Sequence, residues 1–314
     1  MNFRHVLFVF LFLSNLTGTA GARVNVITTT QDLAALAREV GGDDIDVMSM
    51  ALGYQDPHFV NPKPSYLLKL RRADLLIAVG LELEVGWLPA LVQQSRNRKI
   101  LGGGDGFLNA SVGCSVIQQQ GSGRINRSMG DVHPFGNPHY WLDPDNGGII
   151  AQNIARKLSA LDPENSAAYQ SRLAGFLNRL REAVVRWDSI MEPYKGMKVV
   201  TYHNSWPNFA SRYGIEVVGY VEPKPGVPPS PAHTLRLIQQ MKSAKIPTII
   251  VEPYFDLKIP NSIAKATGAK VLILMPSVAG LEEITDYFSL FDYNLNLLAS
   301  TFREAGVMPN RGNN

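Results

Sequence analysis

Six histidines and a single cysteine are the residues best suited to hold a zinc-like metal in this chain of 314 residues. One thiol, Cys114, makes neither an intramolecular disulfide framework nor a cysteine-rich metal cluster, so transition-metal chemistry falls to the imidazoles. Three of these share a setting. His58 closes Gly53-Tyr-Gln-Asp-Pro-His58, His139 lies in Gly136-Asn-Pro-His139-Tyr-Trp-Leu-Asp143-Pro144, and His203 ends the run Val199-Val-Thr-Tyr-His203. Each follows an expected strand or turn and stands in a loop that starts the next element. Open parallel sheets bind ligands beyond the carboxyl ends of their strands. Three imidazoles delivered there by separate elements are what a closed or nearly closed zinc site requires. The prolines before His58 and His139 restrict the backbone, and Asp56 and Asp143 are candidate acceptors for a ring N–H. Each histidine alone is compatible with a structural role; the joint placement is the signal. His133, in Gly130-Asp131-Val132-His133-Pro134, sits just ahead of His139, where it can capture a metal at the mouth or close over it. His233, at a helix start, reads as structural.

The scaffold that must position these donors alternates strands and helices. Strands are expected over 24–28, 46–50 and 75–79, and helices through Asp32–Val40, from Ser65 to Leu70, and over 87–94. The stretch 102–137 reads as a strand or two with a long, partly mobile loop. Its Gly102-Gly-Gly-Asp-Gly106 is a turn, because a phosphate loop opens a helix and Phe107-Leu-Asn follows instead. Asp162-Pro163-Glu164 is a helix start. Tyr169, Leu173, Phe176, Leu180, Val184, Trp187 and Met191 then recur at helical spacing, giving a helix of roughly 30 residues, about 45 Å long. No comparable partner helix is visible, so it reads as a rigid spine across two domains. Beyond it lie strands over 198–202, 215–221, 248–251 and 270–275, helices over 206–213, 233–244, 260–267 and 288–305, and a proline-rich loop over 223–231. The expected class is α/β: two lobes of mostly parallel sheet flanked by helices, joined by one long backbone helix. Its divisions are a lobe over 23–161, the linking helix over 162–194, a lobe over 195–308 and a disordered tail over 309–314.

Composition narrows the function. With 45% hydrophobic and 18% charged residues the chain buries a large core and is not a mainly disordered protein. Thirty basic residues against 27 acidic ones are scattered, so there is no basic surface for nucleic acid. Arg4 and His5, the apolar Val6–Leu13 and the small residues ending at Ala22 read as a signal peptide over 1–22, cleaved near Ala22. No cysteine stands near that point, so a lipid-modified start is not supported. An exported, periplasmic, monomeric protein is expected.

The motifs Asp56-Pro57-His58, Asn137-Pro138-His139-Tyr-Trp-Leu-Asp143-Pro144 and the strand-ending His203 resemble the metal-binding loops of the ZnuA/TroA-like (cluster 9) periplasmic zinc/manganese solute-binding proteins of ABC transporters. Lys63-Pro-Ser65 through Ala73-Asp74-Leu75, Val251-Glu252-Pro253, the exported start and the long mid-chain helix resemble that family too, across essentially the whole mature chain. The resemblance implies a receptor, not an enzyme, that hands Zn²⁺ to an ABC transporter membrane permease. In that family the third ligand is His in zinc carriers and often Glu in manganese carriers, so His203 favours zinc. A Mn²⁺ or Fe²⁺ carrier is the alternative, and a zinc-dependent hydrolase a more distant one, since no His-Glu-x-x-His or similar helix signature occurs. The resemblance also exposes a departure. The family's fourth ligand is usually an Asp just after the strand near Met275, where this chain reads Leu274-Met275-Pro276-Ser277-Val278. Glu252 is the first candidate to replace it; His133, Asp256 and a water are the others. The His-rich acidic loop of many zinc carriers is also absent.

Overall fold

The computed structural model describes residues 22–117, 133–224 and 226–306. The expected signal peptide and C-terminal tail lie outside these residues, as does the centre of the 102–137 loop.

The first sheet holds β1 (Val24–Thr28), β2 (Ile45–Ser49), β3 (Leu75–Ala78) and β4 (Phe107–Asn109) in the order β2-β1-β3-β4. The second holds β5 (Lys198–Thr201), β6 (Glu216–Tyr220), β7 (Thr248–Val251) and β8 (Lys270–Ile273) in the order β6-β5-β7-β8. Every strand pair is parallel. The central strands β3 and β7 are buried along their whole length, as sheets covered on both faces require. In each sheet the chain switches sides around its first strand. That reversal opens a crevice at the carboxyl ends of β1 and β3, and of β5 and β7.

The helices are α1 (Gln31–Gly41), α2 (Pro64–Arg72), α3 (Leu88–Ser95), α4 (Pro144–Leu161), α5 (Ser166–Met191), α6 (Pro207–Tyr213), α7 (Pro231–Ala244), α8 (Lys258–Thr267) and α9 (Tyr287–Glu304). The spine is α5, 26 residues long, entered and left by short 3₁₀ turns at Pro163–Asn165 and Glu192–Tyr194. Its buried stripe is Tyr169, Leu173, Phe176, Leu180, Ala183, Trp187 and Met191. Near its start the Arg172 guanidinium donates to the Gly41 carbonyl at 2.7 Å and to Asp44 at 2.6 Å, closing the end of α1. Near its end Trp187 donates from Nε1 to Asp292 of α9 at 2.6 Å. The helix therefore belongs to both halves of the core.

One expectation fails here. The spine does have a comparable partner, because α4 runs for 18 residues and packs along it. Its opening Pro-Asp-Asn-Gly-Gly hides the helix from a propensity reading. The packing explains the first glycine: a Cβ at Gly147 would lie 2.4 Å from the Tyr287 hydroxyl oxygen.

The two halves meet closely beside the crevice. A Cβ at Gly53 would stand 2.2 Å from the Val278 carbonyl oxygen, so the two backbones touch there. Asp32, at the start of α1, accepts from the Ser277 hydroxyl at 2.6 Å and from the Val278 amide at 3.0 Å. Trp141 donates from Nε1 to the Pro276 carbonyl at 2.9 Å.

Candidate metal centre

His58, His139 and His203 converge on this crevice. They come from the β2–α2 loop, the segment before α4 and the loop after β5. All three are buried, and one donor atom from each lies within 4.8 Å of the other two. Their ring centroids form a nearly equilateral triangle with sides of 5.3, 5.5 and 5.5 Å.

The second ring nitrogen of each histidine is tied down, which fixes the tautomer. Nδ1 of His58 meets Asp56 at 2.7 Å and Nδ1 of His139 meets Oδ1 of Asn137 at 3.0 Å. The two arrangements are one device used twice: an Asx residue, a proline and a histidine, with the same Asx oxygen also accepting the histidine backbone N–H, at 2.9 and 3.0 Å. The Asn137 amide nitrogen donates to the Asn204 carbonyl at 2.7 Å, so its Oδ1 is the acceptor and His139 carries its proton on Nδ1. Nδ1 of His203 is held by Glu222, which is itself buried and also accepts from the Gly226 amide at 3.3 Å.

A further imidazole, His133, stands beside His58 but outside the mutually close set of three donors. Its Nδ1 donates to the Leu81 carbonyl at 3.1 Å, and its Nε2 faces Nε2 of His58 at 3.3 Å. With both Nδ1 atoms committed as donors, two bare lone pairs confront each other. Such a contact is repulsive unless a cation or proton stands between them. Nε2 of His139 is likewise buried with no hydrogen-bond partner. An orphaned acceptor of this kind is costly in a folded protein. A metal ion among His58, His139 and His203 would satisfy their lone pairs together.

The electrostatics agree. Burial, reinforced by the neighbouring imidazoles, holds His139 well below the usual histidine range. Burial and His58 push His133 down to about 3. Both rings are therefore neutral at pH 7, as metal binding needs. For His203, burial is outweighed by Glu222, Glu252 and Asp56, which raise its pKa. Asp56 is held below its ordinary value, because the contacts with His58 outweigh its own burial.

One expectation is revised. Asp143 orients no histidine; it caps α4 by accepting the Asp145 amide at 3.0 Å, and Asn137 does the orienting. Glu252 follows β7 at the crevice and, like His133, lies outside the mutually close donor set. One of its oxygens accepts from Trp206 Nε1 at 3.0 Å and the other is buried without a hydrogen bond. Burial pushes Glu252 up to about 7, against the pull of His203, Ser205 and Trp206. Asp256 is exposed and accepts the Lys258 amide. Glu222 carries no motif and is missed in the sequence. Its only signal is that it follows β6, the strand beside β5. Replacing Glu222 with alanine strands the buried Nδ1–H of His203 and is expected to weaken metal binding by about 10–100-fold. A competitive chelator titration of the variant checks this, and wild-type affinity would make Glu222 a purely structural carboxylate.

Two parallel α/β lobes on a helical spine, with an imidazole cluster where they meet, define a bilobal solute-binding protein of the helical-backbone type. Residues 26–301 match the family model described as zinc-uptake complex component A, periplasmic (ZnuA), and the chain belongs to that family. Similar proteins include the metal ABC transporter substrate-binding lipoprotein ScbA of Streptococcus cristatus, 28% identical over 293 residues that make up 90% of each chain. The manganese ABC transporter substrate-binding lipoprotein PsaA of Streptococcus pneumoniae is 28% identical over 287 residues, 88% of each. A crystal structure of ZnuA superposes with a TM-score of 0.73 at 26% identity, covering 91% of this chain and 99% of the other. Proteins of this kind are binding components and not enzymes, so the hydrolase alternative falls away.

Proposed function

We propose that the protein is an extracytoplasmic receptor that binds Zn²⁺ through His58, His139 and His203, with His133 as the fourth donor, and delivers it to an ABC-type membrane permease. The observation that carries this reading is the convergence of bare Nε2 atoms whose opposite ring nitrogens are all held by oxygen acceptors. Four imidazoles match the tetrahedral nitrogen coordination of zinc. Glu252 then acts on His203 through its field instead of as a ligand.

Relatives named for manganese transport make Mn²⁺ the competing cargo, with Fe²⁺ beside it. The donor chemistry favours zinc, because hard cations such as Mn²⁺ prefer carboxylate and water oxygens and the clustered donors are all imidazole nitrogens. Metal-free protein titrated with Zn²⁺ and Mn²⁺ against a chromophoric chelator is expected to prefer Zn²⁺ by on the order of a hundredfold or more. Equal affinities, or a preference for Mn²⁺, would overturn the zinc assignment.

The relatives' names call them lipoproteins. Here the single cysteine, Cys114, is half-buried with its thiol donating to the Ala110 carbonyl. We read the protein as a periplasmic carrier exported by the signal peptide expected over residues 1–22. Among the described residues no helix is long and apolar enough to cross a membrane.

A further inference from the structure

The three clustered imidazoles are held by near neighbours: His58 and His139 by residues two positions earlier, and His203 by the adjoining strand end. His133 is different. It lies outside any helix or strand, and its Nδ1 acceptor, the Leu81 carbonyl, is 52 residues away in the chain.

The backbone that offers this carbonyl is unusual. Gly80, Leu81 and Glu82 are three consecutive residues with positive φ, at 81°, 54° and 66°. Glycine adopts that region freely, and a Cβ at Gly80 would also lie 2.3 Å from Oδ1 of Asn109. Leu81 and Glu82 have no such licence, and Glu82 is exposed, so its own packing does not demand the conformation. Non-glycine residues held this way persist only where their surroundings over-determine them, and such sites cluster at ligand clamps.

The restraint comes from Glu84. Its buried carboxylate accepts from the Val79 amide at 2.7 Å and the Gly80 amide at 3.1 Å, one oxygen to each. The turn's other carbonyls have other partners: Val79 the Tyr140 hydroxyl at 2.8 Å, Gly80 the Leu83 amide at 3.1 Å, and Glu82 the Val85 amide at 3.3 Å. Leu81 alone is left to point its oxygen at the His133 ring.

We propose that Glu84 is a positioning residue for the fourth imidazole: it locks the Gly80–Glu82 turn so that the Leu81 carbonyl fixes the ring of His133 with Nε2 toward the metal. This rests on His133 being a ligand. Glu84 touches no metal; it sets whether a preorganised fourth nitrogen is available or a water takes its place.

A double-mutant comparison of H133A, E84A and the combined variant tests this, read by zinc affinity and by the visible absorption of the Co²⁺-loaded protein. The Co²⁺ bands are intense in four-coordinate tetrahedral sites and weak at higher coordination, so they report ligand number in a way that a loss of stability does not. Expected is a loss of about 10–100-fold in zinc affinity for both single variants. Their Co²⁺ spectra should change alike, and the combined variant should show no loss beyond that of H133A. E84Q, which keeps the volume and one strong acceptor, should fall between E84A and wild type, and it carries the comparison if E84A does not fold. A weakened H133A beside an E84A or E84Q with wild-type affinity and spectrum overturns the role of Glu84. So does a combined variant whose losses multiply. Wild-type affinity in H133A itself removes His133 as a ligand, a separate failure that also ends the inference.

Discussion

Replacing His139 with alanine is expected to lower zinc affinity by about a hundredfold or more, the largest loss of any single ligand variant. Structural zinc sites bind with about 10–16 kcal/mol, which divided among four ligands is about 3 kcal/mol each, or roughly a hundredfold. His139 should exceed that average share because its site is the most completely prepared. Its ring is buried, its proton is held on Nδ1 by Asn137, and its free Nε2 has no other partner. Burial keeps it neutral at pH 7, so zinc displaces neither a proton nor a competing hydrogen bond from it. The alternative role is packing, since the ring centroid lies 5.4 Å from that of Trp141. Packing and coordination separate cleanly: a packing residue lowers the metal-free unfolding midpoint and leaves affinity alone, whereas a ligand does the reverse. An H139A protein that binds zinc within threefold of wild type would show the motif to be structural.

Much of this was legible in the chain because the physics that builds parallel sheets also writes conspicuous sequence. Strands buried on both faces read as unbroken apolar runs, as at Leu75–Ala78 and Thr248–Val251. The convergence of His58, His139 and His203 followed from one rule about strand ends. The Asx-Pro-His pattern also stood in plain sight at Asp56 and Asn137, although the acceptor expected beside Asp56 was Asp143. A carboxylate is the stronger partner in general, but only a residue two positions earlier can reach both the backbone and the ring nitrogen. What stayed hidden depended on strand order or on long-range contact. Glu222 neighbours His203 only because β6 lies beside β5, and α4 forms through Gly147 because Tyr287 needs the space. The resemblance pointed to a carboxylate after β8, and its absence was visible as Pro276. What occupies that loop in its stead was not.

Asp32 occupies it, and this gives the second large expectation. In the metal-free protein, the Asp32 contribution to stability should fall as pH rises from about 4 to 7, and the D32N variant should lack this component. Asp32 is fully buried and accepts from Ser277 and Val278 across the junction of the lobes. Its pKa is raised from 3.8 to about 7, chiefly by burial and in spite of those two hydrogen bonds. The folded state then holds a proton that the unfolded chain has already released, so stabilisation is complete below the unfolded pKa and is lost as pH climbs through the folded one. The slope is about 1.4 kcal/mol per pH unit, or about 4 kcal/mol across the window. Asparagine removes the charge but brings an N–H₂ where an acceptor is needed, at a cost of about 1–3 kcal/mol. Wild type should therefore be the more stable protein at pH 4.5, and the two should converge or cross by pH 8. Because every other titrating group is common to both chains, the difference between their denaturant midpoints isolates Asp32, and parallel pH profiles would refute the assignment. The contact also changes how the site works. Where a carboxylate from this loop would close onto the metal, the loop here is fastened to the first lobe by Asp32, Trp141 and the bare backbone of Gly53. The lobes are therefore joined beside the site without the metal's help.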